Sequence, residues 1–155
     1  MSGKGGLRRD PSVRLSEMIG ALRESGHRLT PQRLKILRIL AESAGHPSVE
    51  DIYNALILDM PMLSQATVYK TVALMKDLGQ VLELEFANAH NRYDGNIPEP
   101  HPHLICGRCG SIIDLEDLPL EDLREEVSTE TGYIITGHRL EVFGICPECQ
   151  RAGRS

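Results

Sequence analysis

All four cysteines of the chain fall in two Cys-x-x-Cys pairs, Cys106/Cys109 and Cys146/Cys149. Each pair follows a short apolar run, Leu104-Ile105-Cys106 and Gly144-Ile145-Cys146, and continues through Gly-Arg-Cys-Gly or Pro-Glu-Cys-Gln, which read as tight turns. Thiolates three positions apart at such a turn point to one centre. Two such turns complete a tetrahedral S4 site of the kind that suits Zn2+. Four protein ligands leave no open position, so the expected zinc is structural. A redox dithiol needs a Cys-x-x-Cys opening a helix in a βαβ setting, and it would not explain two pairs. Disulfides are disfavoured as well. The glycine-rich, basic start of the chain leads into no apolar run, so no secretory signal is expected, and the thiols are placed in a reducing cytoplasm.

A second set of donors is richer in nitrogen and oxygen: His46, Asp94, His101, His103 and Asp114. His101-Pro102-His103 places two imidazoles on one side of an extended segment. A mixed imidazole and carboxylate set suits a divalent ion such as Fe2+, Mn2+ or Zn2+. Spacing supports only the histidine pair. It does not by itself recruit His46 and the two aspartates, which could equally be ordinary surface residues.

The elements that must position these groups follow from periodicity and capping. Val13 to Arg23 carries Leu15, Met18, Ile19 and Leu22 on one stripe and ends at Gly26. Thr30-Pro31 caps a second helix with Leu34, Ile36, Leu37 and Leu40. Ser48 to Asp51 is a capping box opening a third, which buries Ile52, Leu56 and Tyr53 before Pro61. Ser64 caps a fourth, over 65–78, with Val68, Val72 and Met75 inward and Gln65, Thr67, Tyr69, Lys70 and Thr71 as exposed polar candidates. The period then changes to two. Val81 to Phe86, the Asn88-to-Asn91 turn and Arg92-Tyr93-Asp94 read as a hairpin. Helices followed by a hairpin outline a winged helix-turn-helix whose fourth helix reads DNA, or else a plain helical bundle.

Gly95 to Pro100 breaks the pattern as a hinge. Beyond it His103 to Cys106, Ser111 to Leu115 and Leu140 to Cys146 read as strands and Leu118 to Glu130 as a helix. The fold class is therefore α+β. A second domain this small has difficulty burying enough apolar surface alone and needs a staple or a partner subunit.

The 155-residue chain has 41% apolar and 25% charged residues, the balance of a soluble globular protein, and no apolar stretch approaching a membrane span of ~20 residues. Four Tyr, two Phe and no Trp argue against stacking on many single-stranded bases. The net charge of −5 is unevenly spread. Residues 1–40 hold nine Lys/Arg against three Asp/Glu, while 41–95 hold three against eight and 96–155 five against eleven. A basic first quarter on an acidic chain fits a localised anion-binding face, or a merely solvated basic helix and tail.

Six motifs occur in order: Gly26-x-Arg28-x-Thr30-x-Gln32-Arg33, His46-Pro47-x-x-Glu50-Asp51-Ile52-Tyr53, Ala66-Thr67-Val68-Tyr69, Arg92-Tyr93-Asp94, His101-x-His103-x-x-Cys106-x-x-Cys109-Gly110 and Gly144-x-Cys146-x-x-Cys149. Together, over residues 13–150, they resemble the Fur family of metal-dependent transcriptional repressors. The resemblance implies a flexible basic tail (1–12), a winged-helix DNA-binding domain (13–94), a hinge (95–100) and a dimerisation and metal-binding domain (101–155). It implies a cytoplasmic homodimer, not an enzyme, acting on double-stranded DNA at a palindromic operator with no membrane partner. Arg28, Arg33, Gln65, Thr67, Tyr69 and Lys70 are the expected DNA contacts. Each subunit is expected to hold one structural Zn2+ on Cys106, Cys109, Cys146 and Cys149. It is also expected to hold one regulatory Fe2+ or Mn2+ on His46, Asp94, His101, His103 and Asp114, bridging the domains. With aspartate at both carboxylate positions, the set resembles the peroxide-sensing (PerR) subgroup. That likeness implies metal-catalysed oxidation of His46 or His101, against the alternative of a sensor of iron, manganese or zinc itself. Positions corresponding to a further family site are Pro100, Pro102, Glu121 and His138; two are prolines, so that site is not expected, and His138 is read as a hydrogen-bonded strand residue. His27 and His90 match no ligand position.

Overall fold

The computed structural model describes residues 8–87 and 89–153, which fall into two compact units, Met1–Glu99 and Pro100–Ser155. The first unit is four helices and a hairpin: α1 (Pro11–Glu24), α2 (Pro31–Glu42), α3 (Val49–Leu56), α4 (Gln65–Asp77), β1 (Leu82–Leu84) and β2 (Arg92–Asp94). The second holds β3 (His103–Cys106), β4 (Ile112–Asp114), α5 (Leu120–Thr131), β5 (Glu141–Gly144) and α6 (Pro147–Ala152). No helix among the described residues is long and apolar enough to cross a membrane.

Side-chain oxygens set each helix start in the first unit. Asp10 accepts from Ser12 N and Val13 N, so α1 opens at Pro11, two residues before the apolar stripe that marks it in the sequence. Thr30 accepts from Arg33 N and Ser64 from Thr67 N, and Ser48 and Asp51 complete the reciprocal capping box. Helices α1 and α4 both end in a glycine at positive φ, Gly26 at 80° and Gly79 at 70°, where a side chain would be strained. Met18, Leu22, Ile36, Leu37, Leu40, Ile52, Val68, Val72 and Met75 are fully buried in one core, which Val81 and Tyr93 of the hairpin region complete. Of the segment 1–12 expected to be a tail, residues 1–7 lie outside the described residues. Arg8 donates to the carbonyls of Glu42 and Ser43, and Arg9 N donates to Asn96 Oδ1. Asn88, in the expected hairpin turn, also lies outside them.

In the second unit β3 is central, antiparallel to β4 and parallel to β5. Its buried residues among those described are Pro102, His103, Ile105, Cys106 and Ile112, and α5 buries none of its side chains. Two expectations are corrected here. The Cys146–Cys149 pair does not sit in a plain turn: Cys146 Sγ accepts from Cys149 N and caps α6, because Pro147 at the first helical position sets φ for a helix. His138 is exposed in irregular chain and not on a strand, because the parallel pairing to β3 begins only at Glu141.

Candidate metal centres and nucleic-acid interface

The four thiols converge. The turn after β3 carries Cys106 and Cys109, and the N-terminus of α6 carries Cys146 and Cys149, held together by parallel pairing that sets Cys106 opposite Gly144. All four Sγ atoms lie within 4.8 Å of one another, with Cys109 and Cys146 at 3.7 Å. A tetrahedral Zn–S4 site has S–S edges of about 3.8 Å, so the donor set and its spacing fit that ion. Backbone N–H groups of Cys109, Cys146 and Arg108 push the Cys106 thiol down to about 6, so it gives up its proton readily. Sharing protons with Cys146 and Cys109 pushes Cys149 up to about 12. Arg108 Nη1 donates to Cys149 O at 3.0 Å, fastening the first Cys pair to α6.

Within the second unit, His101, His103 and Asp114 also converge. His103 pairs with Asp114 across β3 and β4, which puts both side chains on one face of the sheet. Asp114 Oδ1 lies 3.0 Å from His101 Nε2 and 3.5 Å from His103 Nε2. The imidazole centroids are 4.3 Å apart, so His101, two residues before β3 begins, brings its ring to the same side as His103. Two Nε2 atoms and one carboxylate oxygen around a point form a three-donor site for a divalent transition ion.

In the first unit, His46 and Asp94 form a buried pair, His46 Nε2 to Asp94 Oδ2 at 3.1 Å. The surrounding chain fixes both. His46 takes φ of 53°, the left-handed region that residues other than glycine seldom occupy, in the loop between α2 and α3. Arg92 holds that loop, donating through Nε to His46 O and through Nη2 to Gly45 O at 2.6 Å, while Tyr93 N donates to Pro47 O at 3.0 Å. Asp94 spends one oxygen on structure. Its Oδ1 accepts from Asn96 N at 2.8 Å and Ile97 N at 2.9 Å, which leaves Oδ2 turned to His46.

On α4, Gln65, Tyr69 and Lys70 are exposed, Tyr69 to 59%, and Thr67 is half-buried with its hydroxyl 2.9 Å from Ser64 Oγ. Thr71 is not an exposed candidate. It lies in the Val68, Thr71, Val72, Met75 stripe, is buried, and its hydroxyl donates to Thr67 O at 2.9 Å. Arg28 is exposed, and Arg33 is half-buried with Nη1 donating to Arg28 O at 2.6 Å. The hairpin is braced against α4 by Glu83, which pairs with Lys76 and accepts from Asn91 Nδ2 at 3.0 Å and Tyr93 Oη at 3.1 Å. Burial acts to raise the Glu83 carboxyl, but these donors together hold it below its ordinary range. His90 Nε2 sits 3.3 Å from Glu50 Oε2 and His27 Nδ1 2.9 Å from Ser25 Oγ.

Arg92 and Asn96 hold the His46–Asp94 pair but are not among the candidate site residues read from the sequence. The Asp94-Gly95-Asn96 run after a strand was the available signal for an Asx turn.

Residues 24–143 match the ferric uptake regulator family. The chain is 41% identical over 136 residues to the peroxide-responsive repressor PerR of Staphylococcus aureus strain USA300, covering 88% of this chain and 91% of that one. The Helicobacter pylori ferric uptake regulator Fur, whose structure is described as revealing three functional metal binding sites, superposes with a TM-score of 0.79 at 26% identity, covering 92% and 96% of the two chains. PerR from Streptococcus pyogenes, described in terms of peroxide sensing and gene regulation, superposes with a TM-score of 0.51 at 34% identity, covering 88% and 93%.

Proposed function

The chain belongs to the ferric uptake regulator family, and from that membership we propose that it is a metal-dependent, DNA-binding repressor whose signal is peroxide. The observation that carries the peroxide reading is the donor chemistry. Every carboxylate in the candidate regulatory set, Asp94 and Asp114, is an aspartate within reach of imidazole nitrogen, in a chain 41% identical to a peroxide-responsive repressor.

In this reading Cys106, Cys109, Cys146 and Cys149 hold one structural Zn2+ per subunit, and His46, Asp94, His101, His103 and Asp114 are the ligands of one regulatory Fe2+ or Mn2+. Ligands drawn from both units favour the arrangement in which they meet, so metal binding selects the DNA-competent state. Fe2+, when bound, would supply the one-electron chemistry that opens the peroxide O–O bond beside the ligands and would be returned to Fe2+, since the two electrons that reduce the peroxide come from the imidazole ring. The ring of His46 or His101 takes up one oxygen atom of peroxide while the other leaves as water. The oxidised ring is a poorer ligand, and repression ends. Thiolates committed to zinc are poor first targets for this attack, because the ion holds the lone pairs a nucleophile would use.

The working form is a homodimer on a palindromic operator. Supporting this, the second unit leaves Val142 and Phe143 exposed on β5, an edge strand of its sheet, and Tyr133 and Ile134 exposed after α5. So many exposed large apolar side chains on a small unit fit a subunit interface. Phosphate contacts come from the basic first forty residues and base contacts from α4.

The test is operator binding with Fe2+, Mn2+ and Zn2+, each with and without low peroxide, followed by peptide mass mapping. Expected are metal-dependent binding, one added oxygen on His46 or His101 in the Fe2+ form alone, loss of DNA binding, and retained zinc. Oxidation at Cys106 and Cys109 before any histidine overturns the mechanism in favour of a thiol switch. An unmodified, DNA-bound Fe2+ form makes the protein a sensor of metal availability.

A further inference from the structure

Residues Arg14, Met18 and Leu22 lie at i, i+4 and i+8 on α1 and are all buried. Two of these positions are apolar core. The third is a guanidinium 1% exposed, which is expensive to bury unless each of its donors is used.

Its donors are used on two separate segments of the first unit. Arg14 Nε donates to Gly95 O at 3.0 Å. Arg14 Nη2 donates to Gln80 O at 2.9 Å and Nη1 to Gln80 Oε1 at 3.2 Å, with Glu17 as the nearby carboxylate.

Both segments are rigid in their own right. Gln80 closes α4: its N–H donates to Met75 O at 2.8 Å while Gly79 N donates to Lys76 O at 2.9 Å, the paired bonds of a Schellman cap. Gly95 follows Asp94 directly and is pressed so closely onto α1 and α2 that a Cβ there would meet Leu40 Cβ at 2.7 Å, Leu40 O at 2.8 Å and Met18 Cε at 2.8 Å. On its far side Asn96 Nδ2 donates to Ala41 O at 3.0 Å and to Arg9 O at 2.9 Å. The turn that aims Asp94 Oδ2 therefore cannot shift alone.

We propose that Arg14 is the positioning residue that couples the Asp94 turn to the C-terminal end of α4, so that fixing Asp94 fixes the helix that meets DNA. A planar fork with donors at both ends acts as a strut. A lysine at this site supplies one ammonium and reaches only one end. The inference rests on the reading of the protein as a metal-dependent DNA binder. It adds which residue in the first unit carries the metal signal.

The experiment separates metal binding from its transmission. Arg14→Lys, Arg14→Met and Gln80→Leu are compared with the wild type for Mn2+ affinity of the DNA-free protein, by calorimetry. Operator affinity is measured with and without Mn2+, by anisotropy. The ratio of the two operator affinities is the coupling, ordinarily on the order of 5- to 150-fold. Expected is a coupling reduced about tenfold in the Arg14 variants and about threefold in Gln80→Leu, with Mn2+ affinity of the free protein within about threefold of wild type. Gln80→Leu removes only one acceptor at the far end of the strut. It decides the matter alone if the Arg14 variants do not fold. Wild-type coupling in the folded variants overturns the role of Arg14 and leaves the regulatory reading standing. A wild type whose operator binding ignores Mn2+ overturns both.

Discussion

The two units of this chain are built on opposite plans. In the first, all four helices turn an apolar stripe inward, and side chains from Met18 to Tyr93 meet in one core. In the second, α5 buries nothing, and Leu123, Val127, Tyr133 and Phe143 face outward. The apolar residues are present in both; what differs is whether the unit has enough elements to enclose them. A three-stranded sheet with α5 and the short α6, neither of which buries a side chain, does not, and the remaining stabilisation must come from outside the polypeptide. On the proposed reading, the first unit is held by its own packing, whereas the second needs a metal and a second copy to complete it.

Removing the proposed zinc should therefore be the heaviest blow. Structural zinc contributes on the order of 10 kcal/mol to small domains. Cys106→Ser is expected to abolish the second unit's fold and dimerisation while circular dichroism still shows the helices of the first. Zinc affinity should also rise with pH: between about 6, where Cys106 ionises, and about 12, where Cys149 does, binding must displace at least one proton. Chelator competition at two pH values checks the sign. A folded, dimeric, zinc-free variant would erase the contrast between the units.

The converse substitution is Leu37→Ala, in the middle of the first core. A buried leucine replaced by alanine costs about 2–5 kcal/mol. The loss should appear in the first unit's melt alone, with zinc content and dimerisation unchanged. If zinc or dimer is lost as well, the two units share stability and the comparison must be redrawn.

Phe143→Glu tests the outward face. Phe143 is 64% exposed on the edge strand, so the substitution should leave monomer stability nearly unchanged. If the strand lies in the subunit interface, burying the new charge should weaken the dimer by about 2 kcal/mol, roughly 30-fold. Sedimentation velocity across a concentration series reads this directly. An unaffected dimer would place the interface elsewhere on the second unit.

The same contrast governs what could be read beforehand. Local chemistry was legible. Thr30-Pro31, the Ser48–Asp51 box, Ser64 and the two Cys-x-x-Cys pairs act within four residues of themselves, and the elements they set follow. The start of α1 at Pro11 was obscured because its cap, Asp10, lies in a basic, glycine-rich stretch that carries no apolar periodicity. The short helix α6 was obscured because a Cys-x-x-Cys turn and a helix N-terminus look alike over four residues. Thr71 is polar by type yet sits on the inner face of α4. Its hydroxyl satisfies itself on the helix backbone, so burial costs little. Arg14 was invisible for a different reason. Its partners, Gln80 and Gly95, are 66 and 81 residues away, and no local pattern reports a contact at that distance.

The smallest expected effect concerns Ser48, two residues from His46. Its hydroxyl accepts from Asp51 N at 3.1 Å, and Asp51 Oδ2 accepts from Ser48 N at 2.8 Å. The latter bond is the main reason the Asp51 carboxyl sits below its ordinary range. Ser48→Ala breaks half of the box and should cost the first unit about 1 kcal/mol. The contribution of Asp51 has a definite sign with pH. A carboxyl whose folded value is lowered stabilises fully above the unfolded value of about 3.9 and is lost as pH falls through the folded one. The difference between wild type and Asp51→Asn should accordingly be present at neutral pH and vanish in strong acid. The consequence for the metal site is finer still. The box fixes where α3 begins, and with it the loop that holds His46 at φ of 53°. Arg92 grips that loop from the other side through the carbonyls of Gly45 and His46. If both supports aim the imidazole, Ser48→Ala weakens Mn2+ binding by a few-fold at unchanged zinc content. Arg92→Lys should weaken it further, since an ammonium cannot span both carbonyls. Unchanged Mn2+ affinity in Ser48→Ala would assign the aiming of His46 to Arg92 alone and leave the capping box a purely structural device of the first unit.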